Sequence, residues 1–202
     1  MKHFLGAILS LIPAAGIAWA ADGKAIPLTD GERRFLISHL EKSRREFFGS
    51  IEGLSKEQWN FKPAPERWSV AECAEHLVLT EDLLFDMVTQ KILKSPIAAD
   101  VARRSQPDDE KVIARILDRT QKGKAPEALH PSGKFPTAAT IKEAFNPKRD
   151  RTIEYARSTQ EDLRGHSSGS MDAYQYLILL SAHTLRHTAQ LNEVKTDPHY
   201  PK

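Results

Sequence analysis

The sequence predicts an all-α protein, a four-helix bundle with one long crossover connection between the second and third main helices. Four long stretches repeat apolar residues at the 3.6-residue spacing of an α-helix. No stretch convincingly alternates apolar and polar residues, as a half-buried strand would. Between the second and third helical stretches, residues 95–136 have a looser pattern and contain five prolines, which indicates a crossover.

The first predicted helix covers residues 30–54. Asp30 is a suitable N-cap, because its side chain can accept a hydrogen bond from a free backbone amide of the first turn. Gly53 is typical of a helix end. The inward side consists of Phe35, Leu36, Leu40, Phe47, Phe48 and Ile51.

A packed loop is predicted for residues 59–68, where two prolines fix an extended path. The second helix should then begin at Ser69 and extend to about residue 93. Ser69 and Glu72 have the spacing of a capping box, in which each side chain bonds to the backbone amide of the other residue. This helix carries Cys73 and His76.

The crossover should contain one short helix at residues 108–120. The third main helix is predicted to begin near Thr140, which has capping-box spacing to Glu143, and to run toward residue 163. Pro147 must kink this helix or delay its start, because proline lacks the backbone N–H that the helix uses.

Residues 165–169 read as a turn before the last helix, which is predicted at residues 170–194. Two of its core positions are histidines. The inward side consists of Tyr176, Leu177, Leu180, His183, His187, Leu191 and Val194.

The N-terminus has the order of a secretory signal peptide. A basic start at Lys2 is followed by an apolar run over residues 4–18 and by Ala18-Trp19-Ala20, a small-residue cleavage pattern. The run is shorter than the roughly 20 residues of a spanning helix. We therefore expect a signal peptide at 1–20, a polar leader at 21–29, a bundle domain at 30–202, and an exported protein, periplasmic or extracellular, without a membrane span.

Charge and cysteine content narrow the function classes. The chain has 29 basic and 27 acidic residues, and loss of Lys2 with the signal peptide leaves a net charge of +1. This balance does not favour a nucleic-acid partner. Cys73 is the only cysteine, so no internal disulfide can form. Its place in a helical apolar pattern favours a buried thiol.

Three histidines form the candidate site. His183 and His187 lie four residues apart, which places both rings on one face of a helix, and His76 falls near the inward side of the second helix. The spacing also arises by chance, and buried histidines often bond only to a protein neighbour. Coordination of one divalent metal would satisfy all three rings. Three neutral nitrogens suit zinc, nickel, copper or iron better than magnesium or calcium.

Three polar residues could support these ligands. Glu72 lies one turn before His76, although the capping box already explains it. Gln190 and Glu193 follow His187 and could orient the ligands or a substrate. They could equally be surface residues of the last helix, and the sequence leaves that choice open.

Two segments resemble the DinB-like superfamily of small helical bundles: residues 59–77 (WNFKPAPERWSVAECAEHL) and 183–194 (HTLRHTAQLNEV). The resemblance extends from about residue 30 to the C-terminus. It implies a four-helix bundle, often dimeric, that binds a divalent metal such as nickel or zinc. For this chain we expect zinc or nickel first, with iron or copper as alternatives. The family's ligand pattern carries over to His76, His183 and His187. Some members are thiol S-transferases or isomerases, and many have no established activity.

Two functions are therefore expected. The first is a metal-dependent enzyme of hydrolase or thiol-transferase type that acts on a small molecule. The alternative is a non-catalytic module of the cell envelope that binds metal or another ligand. A purely structural metal is a third reading, which a fourth protein ligand would favour and an open coordination position would not.

Overall fold

The computed structural model describes residues 25–97, 102–120 and 123–202. The predicted signal peptide at 1–20 lies outside the described residues. The described part contains six α-helices and one short antiparallel ladder. The helices are α1 (Asp30–Ile51), α2 (Lys56–Asn60), α3 (Val70–Asp86), α4 (Gln106–Leu117), α5 (Ala138–Ser158) and α6 (Ala173–Lys195), and the strands are β1 (Ser167–Ser168) and β2 (Met171–Asp172).

The four long helices pack as a bundle, in which α1 and α3 each contact both α5 and α6. This arrangement confirms the predicted all-α class. Two buried apolar clusters fill the interior, one including Leu36, Leu40 and Leu177 and the other including Phe47 and Leu191. None of the described helices combines the length and the apolar character that crossing a membrane requires.

Helix α1 begins at Asp30, as predicted, but its N-cap is the preceding residue. Thr29, not Asp30, is the N-cap: its Oγ1 accepts from the Glu32 amide at 3.2 Å, and the Glu32 carboxylate accepts from the Thr29 amide at 2.8 Å. In a capping box the partner side chain lies three residues after the N-cap. Glu32 lies three residues after Thr29 but only two after Asp30. The helix ends at Ile51, just before Gly53, which has a positive φ of 68°.

The capping box predicted at Ser69 is present. Ser69 Oγ accepts from the Glu72 amide at 3.1 Å, and Glu72 Oε2 accepts from the Ser69 amide at 2.7 Å. Beyond α3 the chain continues through a π-helical turn (Met87–Lys91) and a 3₁₀ turn (Ile92–Lys94), which end close to the predicted residue 93. The loop predicted at residues 59–68 begins later in the structure, because its first two residues belong to α2.

Helix α5 begins before the predicted residue. Thr137 is the N-cap and pairs with Thr140, so the proposed box of Thr140 with Glu143 is wrong. Pro147 lies inside the helix and does not delay its start. Because Pro147 has no backbone N–H, the carbonyl of Glu143, four residues earlier, has no helical hydrogen-bond partner. Glu143 and Pro147 are both on the exposed face of the helix, so this carbonyl can bond to water. The helix ends at Ser158.

Helix α6 begins at Ala173 with Asp172 as N-cap, after the ladder of β1 and β2, which turns at Gly169 with a φ of 60°. The Asp172 carboxylate also accepts from Arg164, at 3.2 Å. Arg164 donates in addition to both Asp109 oxygens, at 2.8 and 2.7 Å, and to Glu32 at 2.9 Å. This network holds α4 of the crossover against the ends of α1 and α6.

Arg149 joins all four bundle helices. It extends from α5, is fully buried, and donates to Glu81 on α3 at 2.5 and 3.1 Å. It also donates at 2.7 Å to the Leu40 carbonyl and to Ser43 Oγ on α1, and at 2.9 Å to Thr184 Oγ1 on α6. The guanidinium therefore fixes the positions of α3 and α6 relative to each other.

Cys73 is buried, as the sequence predicted. Removal from water raises the pKa of its thiol to about 12, because burial penalises the thiolate. The thiol is therefore protonated at neutral pH and packs as a small apolar side chain.

Candidate metal centre

Three histidines from two helices converge. His76 extends from α3, and His183 and His187 extend from one face of α6. Each offers one nitrogen, and these nitrogens all lie within 4.8 Å of one another. The ring centroids are 4.4 to 5.1 Å apart. The structure thus brings together all three residues that the sequence singled out as metal ligands.

The orientation of the His76 ring is set by the crossover. Its Nδ1 lies 2.9 Å from the Leu129 carbonyl oxygen, at the end of a 3₁₀ turn (Glu127–Leu129). A carbonyl can only accept, so the proton is assigned to Nδ1 and the lone pair to Nε2. Leu129 is itself buried. This contact leaves Nε2 of His76 free to act as a ligand.

The distance between two of the ligand atoms fits a shared ion. His76 Nε2 and His183 Nε2 are 3.4 Å apart. That separation is longer than the 2.7–3.2 Å of an ordinary protein hydrogen bond to nitrogen or oxygen. Two nitrogens bound tetrahedrally to one ion at about 2.0–2.1 Å would lie roughly 3.3–3.4 Å apart.

Burial keeps the three rings neutral. It lowers the pKa of His76, that of His183 to about 3 and that of His187 to about 2, because removal from water disfavours the charged imidazolium. The neighbouring rings add to the lowering for His183 and His187. Neutral imidazole is the form that binds metal, so each ring has a lone pair to donate at neutral pH.

The surrounding protein leaves one ring nitrogen of each α6 histidine without a hydrogen-bond partner. Nδ1 of His183 and Nδ1 of His187 are buried and have no hydrogen-bond partner among the described residues. Buried polar atoms without partners are rare and point to a missing ion, water or ligand. The protein alone therefore does not complete the hydrogen bonding of the two α6 rings, and the 3.4 Å separation of the Nε2 atoms of His76 and His183 fits a shared divalent ion.

The cluster has one covered side and one more accessible side. His76 is 2% exposed, whereas His183 and His187 are only half-buried. Trp68, which follows the loop after α2, packs with its ring centroid 4.9 Å from that of His76 and 6.0 Å from that of His187. The two α6 histidines are therefore the more exposed members of the cluster, and His76 is the covered one.

The three supporting candidates have different surroundings. The Glu72 carboxylate belongs to the cap of α3 and also accepts from Lys62 Nζ at 2.9 Å. Glu193 receives two hydrogen bonds from Arg119, at 2.7 and 2.6 Å, which attach α6 to the chain after α4. Gln190 lies beside His187, where its side chain partly opposes the lowering of that ring's pKa.

Sequence reasoning missed two contributors to this site. The Leu129 carbonyl acts through the backbone, and no side-chain motif could have revealed it. Trp68 was expected only as the last residue of the packed loop at 59–68, although it lies within the segment that resembles the DinB-like pattern. Its position just before the cap of α3 was the available signal.

Comparison with known proteins gives one family and one relative. The model of the DinB superfamily matches residues 39–191. A protein of Bacillus subtilis (strain 168), named Uncharacterized protein YuaE, is 29% identical over 164 residues, which cover 79% of this chain and 96% of that protein. No solved structure shows a significant match.

Proposed function

Because the chain belongs to the DinB superfamily and three of its histidines converge, we propose that it binds one divalent metal ion through His76, His183 and His187. The observation that carries the proposal is the convergence of three neutral ring nitrogens from two helices within 4.8 Å. Imidazole is a borderline ligand, which suits zinc or nickel first and iron or copper as alternatives.

The proposed activity is that of a metal-dependent enzyme, of hydrolase or thiol-transferase type, with a small-molecule substrate. When bound, a divalent ion supplies Lewis acidity near neutral pH. The chain's own groups orient and shield this centre: the Leu129 carbonyl fixes the His76 ring, and Trp68 covers two of the three rings. In this proposal the substrate approaches the two more exposed rings, His183 and His187.

A second candidate is a non-catalytic module that binds metal or another ligand in the cell envelope. It is favoured by the engagement of the nearby carboxylates, since Glu72 caps α3 and Glu193 pairs with Arg119. Neither is poised as an acid or base at the rings. The two candidates share the metal and differ in whether the ion is needed for turnover of a substrate.

Removal of the metal should leave the bundle folded. The interior is apolar at both ends and the four long helices each begin at a side-chain cap, so we expect near-native helicity and a modestly lower melting temperature after chelation. Far-UV circular dichroism with and without chelator measures both. Cooperative loss of most helical signal at room temperature would instead indicate a structural metal.

We further propose that the protein is exported and that its mature form begins at or near Ala21. The support is the N-terminal sequence of basic start, apolar run and Ala18-Trp19-Ala20. Cleavage there would leave α1 intact, because that helix is capped by Thr29. Intact-mass measurement of protein from the native envelope should give the mass of residues 21–202. A soluble cytosolic product retaining residues 1–20 would contradict export.

A further inference from the structure

Glu75, the residue before His76, holds part of the crossover. Its side chain is buried, at 2% exposure, although it is charged. One carboxylate oxygen accepts from the Ser132 amide and Ser132 Oγ, both at 2.9 Å, and the other accepts from the amides of Gly133 at 2.8 Å and Lys134 at 3.3 Å. Four donors from three consecutive residues therefore surround one carboxylate.

The hydrogen bonds of Glu75 begin at Ser132, three residues after Leu129, whose carbonyl orients His76. Leu129, whose carbonyl accepts from His76 Nδ1, and Ser132, which bonds to Glu75, are joined by only His130 and Pro131. So short a connection cannot shift at one end without moving the other. Two adjacent residues of α3 thus bind the crossover at two points.

We propose that Glu75 is a positioning residue for the metal ligand His76: it anchors residues 132–134, and thereby holds the Leu129 carbonyl where it fixes the proton of His76 on Nδ1 and directs Nε2 to the ion. The inference rests on the proposed metal site. Groups that orient metal-bound histidines commonly change metal affinity about 10–100-fold when they are removed.

Glu75 could instead stabilise the loop without influencing the site. Its placement argues for the coupled role, since the carboxylate and the His76 ring contact the same short segment, which is fixed again where Trp59 Nε1 donates to the Phe135 carbonyl at 3.2 Å. If Glu75 stabilised the loop without influencing the His76 ring, the chain between Leu129 and Ser132 would have to be flexible. That link contains Pro131, which restricts it.

The test compares Glu75→Gln with Glu72→Gln. Glutamine at 75 places an NH₂ group against backbone N–H donors, whereas Glu72, four residues before His76 on the same helix, serves the cap and contacts Lys62. We expect the dissociation constant for Zn²⁺ or Ni²⁺, from competition with a chromophoric chelator, to rise about 10–100-fold in Glu75→Gln. Glu72→Gln should stay within about threefold of wild type even if it lowers the melting temperature.

A milder variant covers the case in which Glu75→Gln does not fold. Ser132→Ala removes one of the four hydrogen bonds and should raise the dissociation constant several-fold. Equal affinity in wild type, Ser132→Ala and any folded Glu75→Gln protein would overturn the inference and leave the metal site standing.

The ring itself provides a readout that needs no metal. In ¹⁵N-histidine NMR of the chelated protein, His76 should show a single tautomer protonated at Nδ1, and Glu75→Gln should convert it to a mixture. If wild type bound no metal, the proposed function would fail, and this spectrum would still decide the positioning role. An unchanged His76 signal in Glu75→Gln would refute it.

Discussion

Replacing Arg149 by methionine is expected to lower the free energy of unfolding by about 3–5 kcal/mol. The guanidinium is completely buried, and its removal leaves the Glu81 carboxylate, which is 1% exposed, without its charged partner. The substitution also removes the hydrogen bonds that Arg149 donates to Ser43 Oγ and Thr184 Oγ1. Urea denaturation followed by circular dichroism measures the loss.

Two further variants test whether the unpaired buried charge causes the loss of stability. The double variant Arg149→Met/Glu81→Leu removes both charges, and we expect it to recover much of the lost stability, because apolar pairs often replace buried ion pairs without loss of stability. Arg157→Met breaks an exposed pair with Glu154 on the same helix and should change stability by less than about 0.5 kcal/mol. A loss in Arg149→Met no larger than in Arg157→Met would contradict this account.

Arg149 also bears on the site, because its partners neighbour the ligands. Thr184 follows His183 directly, and Glu81 lies five residues after His76 on α3. The same guanidinium therefore fixes the two helices whose relative position decides whether the three rings meet. Sequence periodicity placed Arg149 on a helix but gave no sign that it would be buried.

Most of the bundle could be predicted because its signals are local. Apolar spacing and the Ser69 cap located α3, and the spacing of His183 and His187 put both rings on one face of α6. The errors were also local. Thr29 and Thr137 were overlooked as caps, in each case because a neighbouring residue offered an equally plausible start.

The parts of the site that escaped prediction depend on contacts between distant residues. Leu129 lies 53 residues after His76, and Ser132 lies 57 residues after Glu75, within a crossover that has little periodicity. Backbone groups at such separations leave no side-chain pattern to read. The resemblance to a known family pointed to the three candidate ligands but not to the segment that contacts His76.

Alanine in place of any one of the three histidines is expected to abolish tight metal binding. Each ring supplies one of three ligand nitrogens that lie within 4.8 Å of one another, so its loss leaves only two protein donors. His199→Ala provides the matched control, because that ring is 87% exposed and its Nδ1 lies 3.4 Å from Asp197 Oδ1.

The most direct test is the metal content of these proteins after reconstitution with zinc or nickel and removal of loosely bound ions, measured by elemental analysis. We predict about one equivalent per chain in wild type and His199→Ala, and almost none in His76→Ala, His183→Ala and His187→Ala. Circular dichroism confirms that each variant is folded. Unchanged metal content in the three alanine variants would contradict the metal site, and with it the proposed function.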